Sequence, residues 1–199
     1  MEAFFAFLIG YCAGSIPFGL LLTLAAGKGD IRQVGSGNIG ATNVLRTGSK
    51  WLAAATLLLD LAKGLVAVLV ARHLFGTAEA MLAPAALAAL GAVLGHCFPV
   101  WLKFKGGKGV ATNMGVSFGL AWPIGAAYAL TWILMALAFR ISSLAGMAAV
   151  VAAVVAAVVL ELWAFVPVLA LIALVVIWLH RANIARLLAG TEPRIGSKK

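Results

Sequence analysis

Apolar residues occupy most of the chain in long, nearly uninterrupted runs, separated by short segments where the polar and charged residues collect. Runs long enough to cross a bilayer, about 17–25 residues each, lie at roughly 3–26, 51–73, 80–101, 123–139 and 162–180. The Ala/Val stretch 144–160 is slightly shorter and almost wholly apolar. A shorter, glycine-containing segment at 109–121 ends at Trp122-Pro123 and reads as a half-length helix entering the membrane from the loop before it. The pattern predicts an all-α fold: a polytopic transmembrane helix bundle of about seven spans, one of them short, in a single integral membrane domain over 1–199. Glu2 stands where a secretory signal would be basic, and no A-x-A site follows the first run, so that run reads as a retained helix. Small-residue pairs at Gly10/Gly14, Gly91/Gly95 and Gly115/Gly119 predict close helix packing.

Composition removes the soluble alternative. The 199 residues are 64% hydrophobic and 11% charged, with a mean hydropathy of +1.09, against about 45–50% and about 25% in soluble domains. Cys12 and Cys97 lie in apolar runs without CxxC spacing, which reads as packing rather than a disulfide or metal site.

The net charge of +9 would fit nucleic acid, but no soluble module remains to bind it, and the placement of the cations explains them otherwise. Lys28, Arg32, Arg46 and Lys50 fall in the 27–50 loop, and Lys103, Lys105 and Lys108 in the next. Arg140 marks a further connection, and Arg181, Arg186, Arg194, Lys198 and Lys199 fall in the tail. The other ends hold Glu2, Glu79 and Glu161, with Arg72 as their one basic residue. The bias predicts cytoplasmic basic loops, a cytoplasmic C-terminus and an outside N-terminus. The 102–108 and 140 connections share a side only if 109–121 counts as a span.

Topology accounts for the cations but not for the glycines among them. In Val34–Arg46, Gly35, Gly37 and Gly40 let successive N–H groups face one point, an anion nest. Ser36, Asn38, Thr42 and Asn43 add neutral donors, and Arg46 can grip a phosphate with two parallel bonds. In Lys103–Asn113, the run Gly106-Gly107-Lys108-Gly109 leads through Thr112 into a helix start, an anion site through its free N–H groups. It is not a Walker A loop: the required earlier glycine is replaced by Trp101 or Leu102, and neither Ser nor Thr follows Lys108. Gly37–Asn43 also echoes Gly107–Asn113. The tail His180–Glu192 places His180, Asn183 and the turn at Arg186 on one helix face and Ile184, Leu187 and Leu188 on another, an amphipathic interfacial segment.

Six further polar residues need an account. Asp60 and Lys63, inside the second span, can neutralise each other at i, i+3. His96 beside Pro99 and Ser15 beside Pro17 are expected to satisfy backbone groups freed by those prolines. Ser142 and Ser143 read as a helix cap, with a phosphate contact open to Ser142.

Two glycine loops and several cations on one side of a greasy chain favour a phosphate-bearing polar substrate and a second anionic partner. No GxSxG elbow or Cys–His pair suggests a covalent acyl-enzyme, and no ligand cluster suggests a metal. Taken in order, the Ser36–Arg46 loop, the Lys105–Thr112 loop and the His180–Glu192 tail resemble the bacterial acyl-phosphate:glycerol-3-phosphate acyltransferase family (PlsY). Asp60 and Lys63 also fit, and the similarity runs over nearly the whole chain.

The resemblance implies acyl transfer from acyl phosphate to the 1-hydroxyl of glycerol 3-phosphate, giving lysophosphatidate and phosphate without a cofactor, at the inner membrane of a bacterial cell. It makes Ser36, Arg46, Lys105, His180 and Asn183 the catalytic candidates. Gly37, Asn38, Gly40, Thr42, Asn43, Gly106, Gly107, Lys108, Gly109, Thr112 and Ser142 are the substrate-binding candidates, with Asp60, Lys63 and Glu192 structural. Either His180 or the substrate's own phosphate could take the hydroxyl proton. A transporter of phosphorylated metabolites would need polar groups at mid-membrane and an outward path, and the outer loops are short and nearly uncharged. Another lipid-forming transferase would carry H-x-x-x-x-D, where this chain has Ala78, Trp101 and Ala185 after its three histidines.

Overall fold

A computed structural model describes residues 1–76 and 83–196. Glu79, Lys198, Lys199 and the first residues of the span expected at 80–101 lie outside the described residues. The described residues form ten α-helices: α1 (Glu2–Gly14), α2 (Phe18–Ala25), α3 (Ala41–Val44), α4 (Lys50–Phe75), α5 (Pro84–Cys97), α6 (Val110–Leu120), α7 (Trp122–Phe139), α8 (Ser142–Val159), α9 (Val166–Leu179) and α10 (Arg181–Leu188). Short 3-10 turns at Ile31–Gln33, Leu45–Thr47 and Val100–Leu102 complete the helical structure.

Five stretches are long and apolar enough to cross a membrane, with α1 and α2 counted together as one. The bent pair α9 and α10, angled by 59°, makes a sixth. The half-length segment expected at 109–121 is α6, closed at Ala121 before the proline at the start of α7. The bundle is inside-out for water: Phe4, Leu58, Leu134, Leu137, Val159 and Leu174 are exposed on its flanks. Its centre is filled by small residues, among them Ala86, Ala89, Ala92, Ala149 and Ala153, around Tyr128, Ile124 and Ile172.

Small residues set the helix spacing. A Cβ at Gly10 or Gly14 would overlap the backbone of Ala88 or Ala92 on α5, and one at Gly91 or Gly95 would overlap Phe7 or Tyr11 on α1. Gly115 and Gly119 play the same part between α6 and α4, against Leu61 and Val68. Backbones in such contact gain dispersion along the interface, which drives association where lipid removes the hydrophobic effect.

Where helices break, the freed backbone groups find internal partners, though not those expected from sequence. At Ser15-Ile16-Pro17 between α1 and α2, the Ser15 carbonyl accepts from Trp101 Nε1 at 2.8 Å and the Ile16 carbonyl from Lys63 Nζ at 2.8 Å. The Ser15 hydroxyl itself has no partner among the described residues, and His96 faces Asp60 at 3.6 Å rather than the Pro99 turn. Longer side chains from neighbouring helices reach the break, while the short local hydroxyl does not. The serines at 142 and 143 likewise do not cap α8, which has no side-chain cap.

Arg72, the exception in the charge pattern, has a structural reason. Its guanidinium donates to the carbonyls of Gly119 at 2.9 Å and Leu120 at 3.2 Å, closing the C-terminus of α6. Leaving such carbonyls without a donor costs about 1–3 kcal/mol. Arg72→Ala should therefore lower the thermal midpoint of the detergent-solubilised protein, and Arg72→Lys, with one donor group on a shorter reach, should recover only part of the loss. An unchanged midpoint in the alanine variant would show that water serves α6 equally well.

Candidate active site

The polar segments meet at one end of the bundle. The first is the loop from Asp30 to Arg46. Asn43, 3% exposed, is its hub: Nδ2 donates to the carbonyls of Ile31, Val34 and Asn38, and Oδ1 accepts from Ser36 N. Asn38 Oδ1 accepts from Gly40 N at 2.9 Å. Of these two amides, both expected to contact substrate, Asn43 is wholly committed to the loop itself, and Asn38 is committed through its Oδ1. Among the predicted residues, the folded loop presents Ser36, Gly37, Thr42 and Arg46 outward, all exposed. Gly35 and Gly37 adopt φ +57° and +69°, a left-handed geometry costly for other residues. A Cβ on Gly35 would also strike the Arg46 guanidinium that lies across it.

The second segment follows α5. Lys103 and Phe104 both adopt left-handed φ, 53° and 59°, and the turn is held by Phe104 N donating to Pro99 O and Lys105 N to Leu102 O. The chain thereby doubles back. Gly106 N donates to Cys97 O at 3.0 Å and Gly107 N to His96 O at 2.9 Å. Gly109, at φ +82°, starts α6, as the glycine-loop-to-helix pattern predicts. Thr112 does not belong to this surface: it is fully buried where α6 meets Gly64 of α4. The echo between Gly37–Asn43 and Gly107–Asn113 is not conformational either. Gly40 is extended before the single turn of α3, whereas Gly109 is left-handed before the 11 residues of α6.

The third segment is α10 and the residues after it. Lys108 Nζ donates a short hydrogen bond to Asn183 Oδ1. Asn183 Nδ2 donates to Glu192 Oε1 at 2.6 Å, Ser143 Oγ donates to the same oxygen at 2.6 Å, and Arg186 Nε donates to Glu192 Oε2 at 2.7 Å. Ser142 Oγ shares a hydrogen bond of 3.1 Å with Thr42 Oγ1, tying this cluster to the first loop. His180, buried at the α9–α10 bend, places Nδ1 2.7 Å from the Val176 carbonyl. A carbonyl only accepts, so Nδ1 carries the proton, and in the neutral ring Nε2 is an acceptor.

Electrostatics follow from this packing. Burial, reinforced by the cations Arg186 and Arg46, pushes the Lys108 pKa down, and Glu192 opposes the shift. Burial alone would raise the Glu192 carboxyl, but hydrogen bonds from Ser143, Asn183 and Arg186 outweigh it and hold the group below its ordinary 4.5. A carboxylate with three donors is a strong fixed point, and it orients Asn183, which in turn holds Lys108.

Lys105 takes a different place. With Arg32, Gly37, Trp101, Leu102 and Lys103 it lines an open cavity of about 400 Å³ between the first two segments. Sequence reasoning missed Arg32, Lys103, Trp101, Ser143 and Arg186 as site residues. Arg186 could have been found from its one-turn spacing to Asn183; the others carry no local signal beyond charge or capping.

The model of the glycerol-3-phosphate acyltransferase family matches residues 4–190. A glycerol-3-phosphate acyltransferase of Erythrobacter litoralis is 62% identical over 193 residues, 97% of this chain and 95% of that protein. One from Mesorhizobium japonicum is 56% identical over 193 residues, 97% and 96% of the two chains. Among solved structures, the crystal structure of PlsY, an integral membrane glycerol 3-phosphate acyltransferase, in its glycerol 3-phosphate form superposes with a TM-score of 0.89 at 38% identity. It covers 98% of this chain and 96% of that one. Its lysophosphatidic acid form gives 0.88 at 36% identity, with the same coverage.

Glu192 supplies the test of the cluster. Its folded pKa is depressed, so its contribution to stability is complete above the ordinary carboxylate range and is lost as pH falls through the lowered value. The gap in thermal midpoint between wild type and Glu192→Gln should hold steady at neutral pH and close on acidification below 4.5. A gap that persisted unchanged in acid would remove Glu192 as the fixed point. By sequence, by structure and by the order of its three polar segments, the chain belongs to the glycerol-3-phosphate acyltransferase family.

Proposed function

We propose that this membrane-embedded acyltransferase takes its acyl group from an acyl phosphate and delivers it to the 1-hydroxyl of glycerol 3-phosphate at the cytoplasmic face of the bacterial inner membrane. The observation that carries the reading is the convergence of Lys108, Asn183, Arg46, Arg186 and Ser142 from four distant stretches of sequence. Two substrates that each carry phosphate need cations and donors for both, and these stretches supply them. The basic bias of the loops and tail supports the cytoplasmic side.

In this reading the hydroxyl oxygen of glycerol 3-phosphate attacks the acyl carbonyl carbon, the new ester C–O bond forms, and the C–O bond to phosphate breaks. The mixed anhydride arrives already activated, so the protein's part is to orient the pair and to neutralise charge on the leaving phosphate. Arg46 and Lys105 suit the leaving phosphate. The Gly106-Gly107-Lys108-Gly109 loop suits the glycerol phosphate, with the hydroxyls of Ser36, Thr42 and Ser142 as neutral donors along the joint between them, while the Gly37 N–H is held by the Val34 carbonyl. Neutral His180 offers Nε2 as the protein's proton acceptor, and the substrate phosphate is the alternative. Asp60 and Lys63 are structural.

Purified protein in detergent, given acyl phosphate and glycerol 3-phosphate without coenzyme A or added metal, should release lysophosphatidate and inorganic phosphate in equal amounts. Arg46→Ala should lower kcat by about 10²-fold or more, the scale of losing one preorganised charge contact to a developing anion, with its thermal midpoint unchanged. Wild-type protein that is folded yet yields no lysophosphatidate from this pair would overturn the choice of donor.

A further inference from the structure

Beneath the second glycine loop lies a set of buried polar groups that the reaction above does not use. Asp60 and Lys63 of α4 form an ion pair at 2.6 Å with side chains 3% exposed. Asp60 Oδ1 also faces His96 Nδ1 of α5 at 3.6 Å, and the His96 side chain is 4% exposed. Lys63 continues the line to the Ile16 carbonyl at the α1–α2 break. At the other end His96 meets the loop twice: its carbonyl accepts from Gly107 N, and its ring lies directly under the Gly107 α-carbon. A Cβ at Gly107 would overlap His96 Nε2 and lie 2.7 Å from Cε1 and 2.8 Å from Cδ2.

The residue at 107 is therefore glycine for a reason other than backbone conformation. Gly109 has the left-handed φ, and Gly107 does not. The imidazole, braced from below by Asp60, takes the volume that a Cβ would need. We infer that His96 is a positioning residue of this enzyme: its ring is the floor on which the Gly106-Gly107 turn rests, and, with both glycine N–H groups bound to α5 carbonyls, it sets the height at which the chain passes on to Lys108 and the start of α6, the part of the loop left to face the glycerol phosphate. The inference rests on the reading that this loop binds phosphate. His96 need not touch substrate; it acts through the loop.

The floor predicts a coupling that a residue filling space elsewhere in the core would not produce. Gly107→Ala should raise KM for glycerol 3-phosphate by about tenfold, since overpacking against a ring held on both sides displaces the loop, with kcat changed by less than about twofold. His96→Ala should raise KM by less. In the double variant the alanine methyl enters the volume the ring has left, so adding Gly107→Ala to His96→Ala should cost less than about threefold, a non-additivity of neighbours in contact. An equal penalty for Gly107→Ala in both backgrounds overturns the inference.

Thermal midpoints of the same four proteins without substrate separate two ways of failing. Coupled midpoints with uncoupled KM values would mean that the ring does support the loop but the loop is not the phosphate site, and then the functional reading of the loop fails with the inference. Uncoupled midpoints together with uncoupled KM values would mean that the ring is not the floor, and the phosphate loop would stand without it. If His96→Ala cannot be purified folded, His96→Asn, which keeps a polar group toward Asp60 while removing the ring edge under Gly107, completes the same cycle with the same two readouts.

Discussion

The ion pair of Asp60 with Lys63 ties the parts of this molecule that would otherwise have no reason to agree. Each charge alone in a helix bundle would be expensive, and removing one partner of a buried pair costs about 3–5 kcal/mol. Here neither is merely neutralised. Lys63 spends a further proton on the Ile16 carbonyl, exposed where Pro17 interrupts the first span, and Asp60 faces the imidazole on which the second glycine loop lies. A single pair on α4 therefore fixes the break in the first span and the floor of the loop. Trp101 and Tyr11 repeat the connection from the other direction, donating to the Ser15 and Phe98 carbonyls.

The same rule governs the rest of the bundle: a polar group inside it must find its partner in the protein. Arg72 closes α6 at one end. At the other end α6 begins at Gly109, and its first turns are packed so tightly on α4 that Thr112 is lost to the surface. A helix of 11 residues, about half the length needed to span a bilayer, has its C-terminal carbonyls served by Arg72 and its N-terminus without a side-chain cap. Its short length is what brings the glycine loop inward to meet α10.

The all-helical membrane bundle, the approximate place of its spans and the three polar segments were legible in the sequence, because apolar length and glycine-cation clustering are local signals; the break of the first run into α1 and α2 was not. Partners were not. Nothing in the sequence around Ser143 indicates that its hydroxyl serves Glu192 rather than its own helix, or that Asn43 would spend its whole amide inside the loop. Both are decided by which segment lies opposite, and that depends on the 59° bend at His180 and the reversal at Lys103-Phe104. Those two turns have weak signatures. Left-handed Lys and Phe are costly by about 1–2 kcal/mol each, so their conformation is imposed by the packing around them.

The glycines show most clearly how one residue type can answer different demands. Gly35 and Gly109 are needed for φ, and Gly35 also clears the path of Arg46. Gly106 and Gly107 have ordinary φ and are needed because the loop is pressed against the end of α5, Gly106 on the His96 carbonyl and Pro99, Gly107 on the His96 ring. A flexible loop would need only the first kind. A loop whose N–H groups bond down onto the end of a helix needs the second kind as well, since each Cβ would lift the chain from its support. The glycines of the second segment thus mark a loop held in place by contact with the end of α5.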